Sequence, residues 1–528
     1  MGDNENRKVY KARQVKNYRE MVEYSCKNYA QNIAYKYKKD YTAKNVEYIE
    51  KTYEQVGKDI KAFGTGLLNL DLMGERIVVV GKNRYEWCIS YLATTCSNMV
   101  IVPIDKALPD IEMQRLIERS EAKAIIFDEK YLETIKKVQE KENSNLKTLI
   151  CMDNIQEKGI KTFNEILEEG RNQIKNGDQK YDNIEIDENK MSIMLFTSGT
   201  TNEPKAVMLS QANICANISN IACWVKLYPT DVLLSFLPIH HTFECTITFL
   251  YGFYSGSQVA FCDGLKHIQQ NLKEYKVSVF VAVPLVLETM YKKIQKAIEE
   301  QGKTGLIKKM TKISNTLLKA KIDIRKIVFK QILDNFGGHL RVVLYGAAPM
   351  NKATIIGYNN LGISLVQGYG LTETSPVVTA ETDKEKRPGS IGLALANLNL
   401  KIANPDNEGV GEITVKGPSV MLGYYKNPEE TKKVLKDGWF STGDYGYKDK
   451  DGFVYITGRK KDIIVLKNGK NVYPQEIEFL INKIPYIAES LVYSRDKDTT
   501  DTMLCAKIVY DKDAIKQMIG EKTEEEYK

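Results

Sequence analysis

Short runs of consecutive apolar residues punctuate the first two thirds of the chain. They lie at 77–80, 99–102, 124–127 and 148–152, with helix-like segments such as 55–68 between them. Runs of four or five apolar residues have strand length, and their alternation with helices predicts parallel α/β layers covered on both faces. The polar, tyrosine-rich residues before about Tyr53 predict peripheral helices and hairpins, and the charged, weakly periodic segment 156–190 predicts a surface helix and linker. A second series of apolar runs follows at 191–196, 206–209, 232–237, 257–261, 277–283, 341–344 and 365–367. A helix is expected over 211–226 and a long basic helical stretch over 288–336. Past Thr379 the texture changes to short strands broken by Gly, Pro and Asn, as in 389–392 and 409–416, which predicts an antiparallel or barrel-like subdomain. No repeat of solenoid period is present.

Composition changes this picture little. A chain of 528 residues, 43% hydrophobic and 27% charged, forms more than one globular domain. No apolar run reaches the roughly 18 residues that cross a bilayer. The start, MGDNENRKVYKARQ, lacks the apolar centre of a signal peptide, and Glu5-Asn6 weaken its Met-Gly as a myristoylation signal. Nine cysteines without paired spacing fit a reduced, cytoplasmic compartment. The net charge of +7 suits anionic substrates or simply a lysine-rich surface, and does not require a nucleic-acid partner. With only four histidines and no Cys/His cluster, zinc chemistry is excluded as a theme.

Candidate chemistry sits where the apolar runs break. After 191–196 comes Thr197-Ser198-Gly199-Thr200-Thr201-Asn202-Glu203-Pro204-Lys205. A glycine that lets backbone N–H groups approach, several hydroxyls and one lysine suit a phosphate loop. The same composition also makes an ordinary polar hairpin. The common P-loop is ruled out, because Pro204 stands at its second glycine and Ala206 at its hydroxyl. Four further segments place glycines and polar groups at strand ends. Tyr369-Gly-Leu-Thr-Glu373 offers an aromatic face, a hydroxyl and a carboxylate for a base, a phosphate and a magnesium ion. Gly346-Ala347-Ala348-Pro349 has no reactive side chain and suits a flat wall against a planar ring. Trp439 to Asp444 ends in a carboxylate suited to ribose hydroxyls, and 458–464 puts charge beside a turn. Each alone is more often an ordinary turn; their co-occurrence is what weighs.

The segments TSGTTNEPKAVMLS, LPIHHTFE, YGAAPM, QGYGLTETSP, WFSTGDYGYKDKDGFVYITGRKKDII and NGKNVYPQEIE occur in this order along nearly the whole chain. In order and spacing they resemble the adenylate-forming (AMP-forming acyl-CoA synthetase) superfamily. The basic stretch before 336–341 is most similar to the long-chain fatty acid–CoA ligases. The resemblance implies a large N-terminal domain, 1–460, of layered α/β subdomains with a small β-barrel-like subdomain, and a small mobile α+β C-terminal domain, 461–528. It implies a two-step reaction in which a fatty acid is activated by ATP with Mg²⁺ as an acyl-adenylate, then transferred to coenzyme A.

Carried over residue by residue, Thr197, Ser198, Gly199, Thr200, Thr201 and Lys205 would cradle the β/γ-phosphates. His241 would lie beside the acyl pocket and α-phosphate, unless it is a satisfied core histidine. Gly346, Ala347, Ala348 and Pro349 would line the adenine and Tyr369 stack on it. Thr372 would contact the α-phosphate and Glu373 ligate Mg²⁺. Asp444 and Arg459 would hold the ribose, Lys461 would be the interdomain hinge, and Gly469 would approach the pantetheine arm. Lys205, His241, Thr372 and Glu373 are the expected catalytic set.

Two departures stand out. Asn202 replaces a glycine of the phosphate loop, and Asn is the next best residue for a left-handed backbone. The family's C-terminal lysine has no counterpart among the residues ending at Lys528, so the C-terminal domain is expected to be truncated. An acyl-adenylate former that loads an acyl carrier protein, and a non-catalytic nucleotide or acyl-adenylate binder, are the competing readings. Amino-acid activation is disfavoured because no acidic residue occupies 238–241. A fatty substrate also raises peripheral membrane contact, although no amphipathic anchor stands out.

Overall fold

The computed structural model describes residues 4–197, 203–465, 471–484, 486–497, 501–520 and 523–527. The chain divides into two compact units: Met1–Asn399 with Lys416–Gly438, and Leu400–Val415 with Trp439–Lys528.

Two mixed sheets build the first unit. The wholly apolar runs form the parallel centre of one: Met191–Thr197, Val100–Pro103, Arg76–Val80, Ala124–Phe127, Thr148–Cys151 and Ile160–Thr162 lie side by side. Strands buried on both faces need apolar side chains on both. Val78, Val80, Ile125, Phe127, Leu149 and Cys151 accordingly fill one common core. At the other edge Lys205–Ser210 turns back antiparallel to Met191–Thr197, with Thr197 opposite Lys205, and Gly423–Tyr424 pairs with its outer side. The second sheet runs in parallel through Ser364–Gly370, Val342–Tyr345, Val279–Ala282, Val232–Ser235 and Gln258–Phe261.

Several expectations shift. The segment 156–190 is more than a surface helix and linker, because it adds the edge strand Ile160–Thr162 and the helix Phe163–Lys175. Thr162 and Glu165 cap that helix reciprocally, a signature present in the sequence. The strand expected over 232–237 stops at Ser235, before Pro238. The basic stretch is several helices, chiefly Pro284–Glu300 and Thr304–Lys319.

The second unit is rich in antiparallel strands, as the texture beyond Thr379 predicts. Trp439–Lys448 pairs with Gly411–Lys416 on one side and Val454–Arg459 on the other. A long hairpin, Ile487–Lys497 with Asp501–Tyr510, and the helices Pro474–Ile481 and Lys512–Ile519 complete its main elements.

Candidate active site

Three loops leave the C-terminal ends of parallel strands in the second sheet, the edge where open α/β sheets bind ligands. Val232–Ser235 runs into the histidine loop, Val342–Tyr345 into 346–349, and Ser364–Gly370 into 371–376. They pack closely because glycines stand at the crossings. A Cβ on Gly346 would lie 2.7 Å from the Gly368 carbonyl oxygen, and one on Gly370 would lie 1.9 Å from that of Pro376. The ring of Phe243 lies 3.8 Å from the Gly346 Cβ position, which sets the histidine loop beside the Gly346 wall. Ala347 adopts a left-handed φ of 71°, and Ala347, Ala348 and Pro349 are exposed, leaving a surface of backbone and small side chains.

A buried polar cluster fixes the histidine loop. Asn83 Nδ2 donates to Ser235 Oγ (2.9 Å) and to the Leu237 carbonyl (2.7 Å). Ser235 Oγ donates to Glu244 Oε1 (2.7 Å), and Thr248 Oγ1 donates to Glu244 Oε2 (2.9 Å). Glu244 is 1% exposed, and burial raises its carboxyl to about 8 against the opposing effect of these hydrogen bonds. It is therefore chiefly protonated at neutral pH. His241 is exposed, which removes the alternative of a satisfied core histidine. His240 is more enclosed, with its ring 4.1 Å from that of His241 and its Nε2 3.8 Å from Asp105 Oδ2. Deep enclosure, with the neighbouring His241 charge, lowers the pKa of His240 to about 3. Partial loss of solvent on one side of the exposed His241 ring lowers its pKa as well, which favours the uncharged imidazole.

The residues 371–376 are held from below by helix Gln211–Trp224. Asn217 Nδ2 donates to the Val377 carbonyl (2.7 Å), and its Oδ1 accepts from the Val377 N–H (3.2 Å). One turn earlier Asn213 Nδ2 donates to the Pro418 (2.7 Å) and Val420 (3.1 Å) carbonyls. The amides thus tie the Glu373 loop and the 418–421 segment to one helix, and the Met421 N–H donates to the Glu373 carbonyl (2.9 Å).

That second segment carries Tyr424, which joins the two charged groups expected to meet phosphate and metal. Its hydroxyl donates to Glu373 Oε1 (2.9 Å), and the Lys205 ammonium sits 5.1 Å from its ring centroid. Lys205 Nζ donates to Glu430 Oε2 (2.7 Å), and its side chain is 14% exposed. Lys205 and Lys433 lower the Glu430 carboxyl to about 2. Among the described residues, Lys205, Glu373 and Tyr424 therefore form one contiguous polar string at the mouth of the 197–205 hairpin. Ser198, Gly199, Thr200 and Thr201 lie outside the described residues, as does Gly469; Thr197 Oγ1 donates to the Lys205 carbonyl (3.5 Å).

In the second unit Asp444 and Arg459 are directly opposed across paired strands. Arg459 Nε donates to Asp444 Oδ1 (2.8 Å), with the carboxylate side chain 5% and the guanidinium side chain 44% exposed. Lys461 is exposed in the short turn Lys460–Asp462 directly after that strand.

The sequence model of the AMP-binding enzyme family matches residues 22–425. The chain belongs to that family. Long-chain-fatty-acid–CoA ligase 6 of Mus musculus is 31% identical over 476 residues, covering 84% of this chain and 67% of the mouse protein. A chloroplastic long-chain-fatty-acid–acyl-carrier-protein ligase of Arabidopsis thaliana is 29% identical over 520 residues, covering 84% and 71%. The crystal structure of ATP-bound MatB from Rhodopseudomonas palustris has the same fold, with a TM-score of 0.72 at 22% identity over 94% of this chain and 89% of that one. This AMP-binding enzyme is an adenylate-forming ligase resembling the long-chain fatty acid–CoA ligases. Tyr424, Glu430, Glu244 and the Asn213/Asn217 pair were not singled out from sequence. The pair had a signal, two amides four residues apart inside an apolar helix, and Glu244 had a weaker one in standing four residues before Thr248. Tyr424 and Glu430 had none, since they meet Glu373 and Lys205 far along the chain.

Proposed function

We propose that the protein activates a fatty acid with ATP and transfers the acyl group to coenzyme A. The fatty carboxylate attacks the α-phosphorus, the bond to the β-phosphate oxygen breaks, and pyrophosphate leaves. The coenzyme A thiol then attacks the acyl carbon of the mixed anhydride, loses its proton, and expels AMP. The carboxylate is already ionised, so the first step needs no general base; it needs charge stabilisation on the phosphates. The observation that carries this reading is the Lys205–Tyr424–Glu373 string, a fixed cation and a fixed carboxylate joined through one tyrosine.

Magnesium delivered with ATP keeps water and phosphate ligands and asks for only one or two protein carboxylates. Glu373, half-buried and oriented by Tyr424, fits that demand. Among the described residues no group of three or more His, Cys, Asp or Glu could hold a metal alone, which agrees with an ion that arrives on its substrate. When bound, the ion offsets phosphate charge. Lys205 stabilises the leaving pyrophosphate together with Thr197, Ser198, Gly199, Thr200 and Thr201. Thr372 donates to the α-phosphate, and the uncharged His241 orients the incoming carboxylate without pairing with it as an ion. Residues 346–349 wall the adenine and Tyr369 stacks on it. Asp444 and Arg459 are assigned to the ribose, Lys461 to the hinge and Gly469 to the pantetheine arm on their motifs alone.

The Arabidopsis relative supports a second acceptor, the phosphopantetheine of an acyl carrier protein. A pyrophosphate-release assay over a panel of fatty acids of increasing length tests the first step. Release that requires both fatty acid and Mg²⁺, followed by thioester on addition of coenzyme A, is expected. No release with any member of the panel contradicts the reading. Thioester on carrier protein but none on coenzyme A selects the second acceptor.

A further inference from the structure

The basic helices before residue 336 have no part in the site described above, and they present an unusual outer face. Residues 303–330 contain nine Lys or Arg and a single acidic residue, Asp323. That acid is committed locally, since Arg325 binds it through Nε (2.9 Å) and Nη2 (2.7 Å). The inner side of the segment is anchored on helix Lys352–Leu361. Asn315 Nδ2 donates to Asn360 Oδ1 (2.9 Å), Arg325 Nη1 donates to the Asn359 carbonyl (2.6 Å), and Ser314 is fully buried.

This anchoring fixes which residues of helix Thr304–Lys319 face outward. Leu306 and Ile313, two turns apart on one stripe, are 52% and 41% exposed. Lys309 is exposed beside that stripe, and Lys312 and Lys308 continue the exposed arc of the helix away from it. The apolar character continues past the helix, where Ile322 is 52% and Ile327 79% exposed. Aliphatic side chains standing in water beside lysines are unfavourable for an isolated surface. They are the composition of a helix that lies in a bilayer interface, with aliphatic groups at the acyl boundary and lysines reaching to anionic headgroups.

We propose that this face, centred on Thr304–Lys319, docks the protein onto an anionic lipid bilayer. Charge and composition select the occupant. A second copy would set lysine against lysine. A single-stranded nucleic acid would want aromatic stacking platforms, and residues 303–327 contain no aromatic residue. Lipid supplies both the negative surface and the apolar layer that the exposed stripe lacks.

Flotation of the full chain with vesicles tests this. Vesicles of phosphatidylcholine mixed with phosphatidylglycerol should carry the protein, phosphatidylcholine alone should carry far less, and added salt should release it. Each lysine near an anionic surface contributes about fivefold, so Lys308→Glu, Lys309→Glu and Lys312→Glu together should weaken binding at least a hundredfold, to order of magnitude. Leu306→Ser with Ile313→Ser should weaken it roughly tenfold or more, and the residual binding should be more salt-sensitive. Both variants should keep wild-type turnover of a short, water-soluble fatty acid, since none of these residues belongs to the site. Equal binding by wild type and both variants overturns the proposal. So does binding to RNA, or self-association lost in the serine variant, without vesicle binding. The readout is vesicle binding, so its failure leaves the ligase reading standing. Among the described residues no helix is long and apolar enough to cross a membrane, and surface docking does not need one.

Discussion

Replacing Lys205 with methionine is expected to slow acyl-adenylate formation about 10²–10³-fold, the usual cost of removing one donor aimed at developing charge. The fold should survive, because methionine keeps the apolar stem against Tyr424 and Glu430 retains Lys433 as a partner. The Lys205–Glu430 pair holds the ammonium on the site's edge before any nucleotide arrives. Phosphate oxygens then take a share of a lysine that is already positioned, so little ordering entropy remains to be lost. Tyr424→Phe separates the two arms of the string. It keeps the ring under the lysine and removes only the hydroxyl that orients Glu373, so it should raise the Mg²⁺ requirement about tenfold and spare the saturated rate. Single-turnover adenylation at several Mg²⁺ concentrations measures both. Wild-type rates in Lys205→Met would remove the lysine from the chemistry.

The second large effect belongs to Glu244 and is one of stability. Burial raises its folded pKa from the ordinary 4.5 to about 8. Between those values the unfolded chain releases a proton that the folded chain retains, so stability falls as pH rises through that window. Glu244→Gln keeps the shape and cannot ionise. Relative to wild type it should gain on the order of 3 kcal/mol between pH 5 and pH 8. Urea unfolding at the two pH values measures this; parallel curves for the two proteins would contradict it. The protonated carboxyl also orders the strand end from which His241 projects, through Ser235 and Asn83.

Much of this was legible before any coordinates. The parallel strands were, because a strand covered on both faces must be apolar at every position, as at 77–80 and 124–127. The strand-end loops were, because Gly346 and Gly370 stand where backbones touch. What escaped was contact across distance. Glu373 and Tyr424 lie 51 residues apart, and Lys205 and Glu430 lie 225 apart. No local pattern encodes which tyrosine of many will meet a given carboxylate. The outer face at Thr304–Lys319 escaped for a different reason. Its lysines and aliphatics are ordinary in sequence, and only the packing of Asn315 and Ser314 shows that the aliphatic stripe points away from the core.

Carboxylate activation through an adenylate has a direct isotopic signature. If the fatty carboxylate attacks the α-phosphorus, one of its oxygens bridges to AMP and stays there when the thiol takes the acyl group. A fatty acid labelled with heavy oxygen at both carboxylate positions should therefore yield AMP carrying one labelled oxygen and pyrophosphate carrying none, read by mass spectrometry. Label in a phosphate or pyrophosphate product, or unlabelled AMP alongside thioester, would contradict the adenylate mechanism.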